Sequence, residues 1–205
     1  MLTIGIYLFD QAELLDFAGP LEVFTTANRL HEQQTKSSLL RVITLSASGE
    51  PVRCRAGLHI TPDTSLADCP ALDVFIVPGG RVEAERDNPA LNAWLIAQRP
   101  HISTLASICN GAFILAGAGL LDNLSVTTHW EDAAQLAREF SQVNVQPEHR
   151  FIDHGHTFTT AGVAAGIDAC LHWVASNCST PLATATARQM DYPWAAHASH
   201  EEEIL

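Results

Sequence analysis

The clearest chemical potential in this chain lies in one stretch, "STLASICNGAFILAGAGLL" (103–121), where Cys109 stands between a short β-branched run and a segment rich in Ala, Gly and Leu. A strand that turns at once into a helix aims the turn residue at the carboxyl edge of a sheet, where open α/β folds bind ligands. Cys109 is therefore expected to be exposed. The window Ser107-Ile108-Cys109-Asn110-Gly111 has the small-x-nucleophile-x-Gly form of a nucleophile elbow, whose tight turn tolerates little bulk two residues to either side. A helix beginning at Asn110 would present free N–H groups and a positive dipole end to the sulfur, lowering a thiol pKa from its free value of about 8.5. Thiolate at neutral pH is the expectation. Backbone N–H groups at the elbow, Asn110 among them, and in "PGG" (78–80) form a candidate substrate-binding or anion-holding site, with Gly79 and Gly80 allowing close approach.

A nucleophile needs a proton partner, and "AELLDFAGP" (12–20) supplies Asp16 in an otherwise apolar segment. An isolated acid there is costly without a partner, so it is a candidate acid/base; the alternative is a cap on a helix starting near Gly19. His129 in "TTHW" lies just past a short strand and could reach the same edge, or could simply pack beside Trp130. His154 and His156 make an H-x-H pair without a third ligand, so no metal is assigned. Cys54, Cys69, Cys170 and Cys178 lack the context of Cys109 and are read as structural, with neither a disulfide framework nor a thiolate zinc site.

The elements that must position these residues alternate along the chain. Strands are expected over 2–9, 39–47, 72–80, 101–108 and 125–130, and helices over 19–33, 88–98, 110–121, 131–140 and 161–177. Two further strands at 150–160 turn at His154-Gly155, and a last helix at 180–190 is opened by Thr180 as N-cap with Pro181 following. That order predicts a mainly parallel sheet covered by helices. Residues 51–63 read as a hairpin around Ala56-Gly57 at the sheet margin, without evident chemistry. One domain is expected over 1–191, with a loosely held acidic tail over 192–205.

Eleven Lys and Arg against 23 Asp and Glu give a formal charge of −12, which repels phosphate backbones and argues against nucleic-acid binding by this chain alone. No apolar run is long enough for a membrane span, and the start "MLTIGIYLFD" lacks the basic region of a secretory signal, so a cytoplasmic location is expected.

The segments "LLDFAGPLEVF", "DVFIVPGG", "SICNGAFILAGAGLL", "VTTHW" and "TTAGVAAGIDACLHWVA" resemble the ThiJ/PfpI superfamily over about residues 2–190. The likeness is strongest to isonitrile hydratase and to the amidotransferase-like domains of AraC-type regulators. It implies a flavodoxin-like three-layer α/β sandwich with a class I glutamine amidotransferase-like architecture, a homodimer, and a small-molecule substrate without a cofactor. By that resemblance Cys109 is the nucleophile and Asp16 the acid/base of a hydratase that adds water to an isonitrile. The hydratases typically carry Thr after the cysteine, where this chain has Asn110, and the peptidase-like members carry His, which disfavours proteolysis. Two other readings stand beside the enzyme: a non-catalytic ligand-sensing domain of regulator type lacking its helix-turn-helix region, and a redox or carbonyl-stress protein. In that last group Glu more often stands where Asp16 does.

Overall fold

Strands covered on both faces read as unbroken apolar runs. "VFIV" (Val74–Val77) and "TLAS" (Thr104–Ser107) are buried at every position, as is the second half of the first strand. A computed structural model of the protein describes residues 1–194. In chain order its elements are β1 (Leu2–Tyr7), α1 (Leu14–Thr35), β2 (Leu40–Ser46), β3 (Val52–Arg53), β4 (His59–Ile60), β5 (Thr64–Ser65), β6 (Val74–Val77), α2 (Glu83–Arg86) and α3 (Pro89–Gln98). They continue with β7 (Thr104–Ser107), α4 (Ala112–Gly117), β8 (Ser125–Val126), α5 (Ala133–Glu139), β9 (Asn144–Val145), β10 (Phe151–Asp153), β11 (Thr157–Thr160), α6 (Ala165–Asn177) and α7 (Thr180–Gln189).

Seven strands form one sheet in the order β10-β11-β7-β6-β1-β2-β5, parallel throughout except for the β10–β11 pair. Helices α1, α6 and α7 pack on one another, and α2 and α3 each pack on α4, which gives the flavodoxin-like layered α/β architecture. The chain leaves β1 for β2 on one side and returns to β6 on the other, so the strand order reverses between β1 and β6. Crevices at the carboxyl ends of strands beside such a reversal are where these folds hold ligands. The loop after β1, Pro78-Gly79-Gly80 after β6, and Cys109 after β7 all emerge there.

Several boundaries differ from expectation. Helix α1 starts at Leu14, five residues before Gly19, and carries Pro20 inside it. Gly19-Pro20 resembles a helix start in sequence, yet here the ring lies past the first turn, and its missing N–H leaves the Asp16 carbonyl without its usual helical donor. The stretch after Cys109 is not a helix over 110–121. It is a 3-10 turn, Cys109–Gly111, followed by α4 of six residues. "SVTTHW" contributes only Ser125–Val126, paired to β9 in a separate two-stranded sheet. The 51–63 hairpin forms with Gly57 at φ 92°, but it docks onto the loop after β1, where Gln11 N–H donates to Arg53 O and Arg55 N–H to Ala12 O. The N-cap of α7 is Ser179, whose Oγ accepts from Leu182 N–H, rather than Thr180. The tail expected over 192–205 lies, from residue 195 onward, outside the described residues. No helix among the described residues is long and apolar enough to cross a membrane.

Candidate active site

Cys109 occupies the left-handed region at φ 55°, a conformation a side chain adopts only when its surroundings impose it. Three contacts impose it. Ile108 N–H donates to Val77 O and extends the β6–β7 ladder by one residue, the Thr128 hydroxyl donates to the Cys109 carbonyl at 3.0 Å, and the Cys109 N–H donates to Thr160 Oγ1 at 3.4 Å. The elbow glycine is sterically required, since a Cβ on Gly111 would lie 2.4 Å from Val77 O. Ser107 is wholly buried, with its hydroxyl unpaired. Cys109 itself is 9% exposed, so the turn aims it at the sheet edge without opening it to solvent.

Asp16 sits in the first turn of α1 and is fully buried, so it is not the helix cap; the N-cap residue is Glu13. The Gly79 N–H donates to Asp16 Oδ2 at 3.0 Å and Oδ1 is buried without a hydrogen-bond partner, while the carboxyl as a whole is within reach of the Cys109 thiol. Burial pushes the carboxyl from its ordinary 3.8 up to about 7, and the charge of Glu13 adds to this; the Gly79 N–H and the Cys109 thiol pull the other way. The thiol is also pushed up, first by burial, then by the charges of Asp16, Asp132 and Glu13, with only the Asn110 backbone N–H favouring the thiolate. A free thiolate at neutral pH is thus not what this site favours. The six-residue α4 and one N–H are outweighed by desolvation and three carboxylates. Asp16 and Cys109 are a coupled pair that holds its protons tightly.

The glycine N–H groups are engaged. Gly79 N–H serves Asp16, and Gly80 N–H donates to Asn110 Oδ1 at 2.9 Å while Asn110 Nδ2 donates back to Gly80 O at 3.1 Å. Gly80 needs its φ of 143° and its hydrogen side chain, because a Cβ would come within 2.3 Å of Gln11 O. His129 lies at the rim, its Nδ1 3.7 Å from Glu131 Oε2 and 4.0 Å from Asp132 Oδ2, and its ring 5.6 Å from that of the exposed Trp130. His154 and His156 lie elsewhere, bonded to the Ser125 and His154 carbonyls.

Sequence reasoning passed over Asp132, Glu13, Thr128 and Thr160. Asp132 is raised mainly by burial, while His129 and the Asn110 amide favour its ionised form. Its position three residues after His129 in "HWED" was the available signal. The threonines gave none, since hydroxyls in a strand read as ordinary strand formers.

A family model described as DJ-1/PfpI family matches residues 3–176. Isonitrile hydratase of Pseudomonas putida is 30% identical over 192 residues, covering 93% of this chain and 78% of the hydratase. The HTH-type transcriptional regulator GbdR of Pseudomonas aeruginosa is 33% identical over 191 residues, also 93% of this chain, which spans 50% of the regulator's length. Among solved structures, a ThiJ/PfpI family protein from Pseudomonas syringae superposes with a TM-score of 0.82 at 26% identity, over 96% of this chain and 77% of that one.

Proposed function

This chain belongs to the DJ-1/PfpI family, and from that premise we propose that it is a cysteine-dependent hydratase converting an isonitrile to an N-substituted formamide. The observation that carries the reading is the buried Asp16 carboxyl, held near neutrality in its proton affinity beside the thiol at the elbow. Addition to an isonitrile takes place at one carbon, which accepts a nucleophile and a proton in turn. The chemistry calls for a thiolate and a carboxylic acid side by side, and the singly protonated Cys109–Asp16 pair contains that arrangement as one of its two proton placements.

In the proposed cycle the Cys109 sulfur bonds to the terminal carbon while Asp16 delivers a proton to the same carbon, giving a thioimidate, R–N=CH–S–Cys109. Asp16, now a carboxylate, takes a proton from water as the oxygen adds to that carbon and passes it to the nitrogen, giving R–NH–CH(OH)–S–Cys109 with Asp16 a carboxylate again. The C–S bond then breaks with its electron pair leaving on sulfur while Asp16 takes the hydroxyl proton, releasing R–NH–CHO and restoring the singly protonated pair. No anionic oxygen bound to carbon must be stabilised in the first step, which agrees with glycine N–H groups already committed to Asp16 and Asn110. The same commitment speaks against acyl transfer, which relies on free donors at the developing oxyanion.

Purified protein incubated with a simple aryl or alkyl isonitrile, beside Cys109→Ala, tests the reading: formamide should appear with the wild type alone. The second reading, a ligand-sensing domain, is supported by the identity to GbdR across nearly the whole chain and by a thiol that burial keeps protonated. It is distinguished by saturable isonitrile or metabolite binding that Cys109→Ala retains and that is never followed by product.

A further inference from the structure

Asn110 follows the elbow cysteine, and its surroundings give it a task. Its carboxamide pairs with both main-chain groups of Gly80, accepting from the N–H at 2.9 Å and donating to the C=O at 3.1 Å. A carboxamide is a peptide group on a short stem, so this two-bond pair supplies what a neighbouring strand would, three residues past the last β6–β7 register pair, Val77↔Ser107. On its other side the turn is fastened to the loop after β1, where Glu13 N–H donates to Gly79 O and Ala12 bridges Gly80. The fit leaves no slack: a Cβ on Gly79 would lie 2.4 Å from Asn110 Oδ1 and 2.8 Å from Asp16 Oδ2. Asn110 and Asp16 therefore close on the same face of Gly79.

Building on the Cys109–Asp16 reading above, we infer that Asn110 is a positioning residue whose amide clamps the Gly79–Gly80 turn to the elbow, keeping the Gly79 N–H on the Asp16 carboxylate and Asp16 in register with Cys109. Its amide is spent on that turn and on the Asp132 carboxyl and does not bind substrate. The consequence lies in the proton inventory of the pair. Asp16 faces Glu13 from its own helix and Cys109 from the elbow; Cys109 in turn feels Asp132 and Glu13. The neighbouring carboxylates disfavour added negative charge on the pair, and against them, with the Cys109 thiol adding a smaller contribution, the Gly79 N–H is the largest contact favouring the ionised Asp16 carboxyl. Releasing the clamp removes it.

The test is the pH dependence of Cys109 alkylation by iodoacetamide, followed by mass spectrometry on the full chain, in wild type, Asn110→Ala and Asp16→Asn. Asp16→Asn should abolish the limb centred near neutral pH, identifying it with the carboxyl. Asn110→Ala should shift that limb upward by about one pH unit, the effect of one N–H bond lost by a carboxylate. A limb that stays in place in Asn110→Ala while still vanishing in Asp16→Asn overturns the positioning role and leaves the pair intact. A limb that survives Asp16→Asn overturns the pair, and the inference with it. The unaltered protein supplies a readout independent of any variant's folding: the Gly79 amide proton shift and the Asp16 carboxyl carbon shift should titrate with one midpoint. A Gly79 amide indifferent to pH overturns the proposal.

Discussion

Cys109 and Cys170 are both buried thiols whose ionisation is opposed first by burial and then by a nearby aspartate, yet they stand in opposite kinds of surroundings. Cys170 lies inside α6, in ordinary helical backbone, with the core residues Ala169 and Leu171 to either side. Its neighbouring charge, Asp168, is committed to Arg150. Cys109 lies at φ 55° on a turn held by two threonine hydroxyls, and its neighbouring carboxyl has one oxygen with no hydrogen-bond partner. Burial and thiol acidity do not separate the two. The strained backbone and the unpartnered carboxyl oxygen do, and strain of this kind persists only where the fold over-determines it.

Cys109→Ala should reduce isonitrile hydration to the uncatalysed rate, whereas Cys170→Ala should leave turnover intact; parallel assays that find the two variants equally active break the contrast. Asp16→Asn comes next. If the carboxyl moves the protons, turnover should fall by roughly 100-fold or more, while a folded protein by circular dichroism keeps the loss from being a folding defect.

The same substitution should stabilise the protein above neutral pH. Asp16 has a folded pKa of about 7 against an ordinary 3.8, so the folded state holds this proton more tightly than the unfolded one. Wild-type stability should therefore decline as pH rises from about 4 to about 7 and then level off. The penalty is at most roughly 4 kcal/mol. Urea titrations should show Asp16→Asn gaining on wild type across that window and equal to it near pH 4; a gain that grows toward acid would reverse the sign and refute the buried, proton-holding carboxyl.

Smaller effects sharpen the backbone half of the comparison. Cys109→Gly should be more stable than Cys109→Ala by about 1 kcal/mol, since only glycine relaxes at this φ. At residue 170 the order should reverse, because glycine inside a helix costs about 1 kcal/mol relative to alanine. Thermal melts of the four variants give both differences directly.

Much of this site was legible along the chain. The small residue, cysteine and glycine of 107–111 announce a tight strand-to-helix turn, and the structure supplies the reason in the 2.4 Å between a Gly111 Cβ and Val77 O. Alternation of apolar strands and helices gave the sheet and its parallel sense. Gly79 and Gly80 were recognisable as a place of close approach, though what approaches is the chain itself. The start of α1 was misplaced because Gly19-Pro20 imitates a helix beginning when read locally, and only packing shows that the helix runs through it.

What sequence determined by itself is whatever depends on neighbours in the chain: the elbow spacing, the glycines, the order of elements, the acidic balance. Tertiary structure alone decided that Asp16 meets a glycine 63 residues away, that Asn110 spends its amide on a peptide 30 residues away, and that the thiol is held protonated. The physical reason is that proton affinity and hydrogen-bond commitment are set by desolvation and by groups brought within a few ångströms through space. No window of sequence contains β1, β6 and β7 together, and it is where their carboxyl ends meet that those quantities acquire their values.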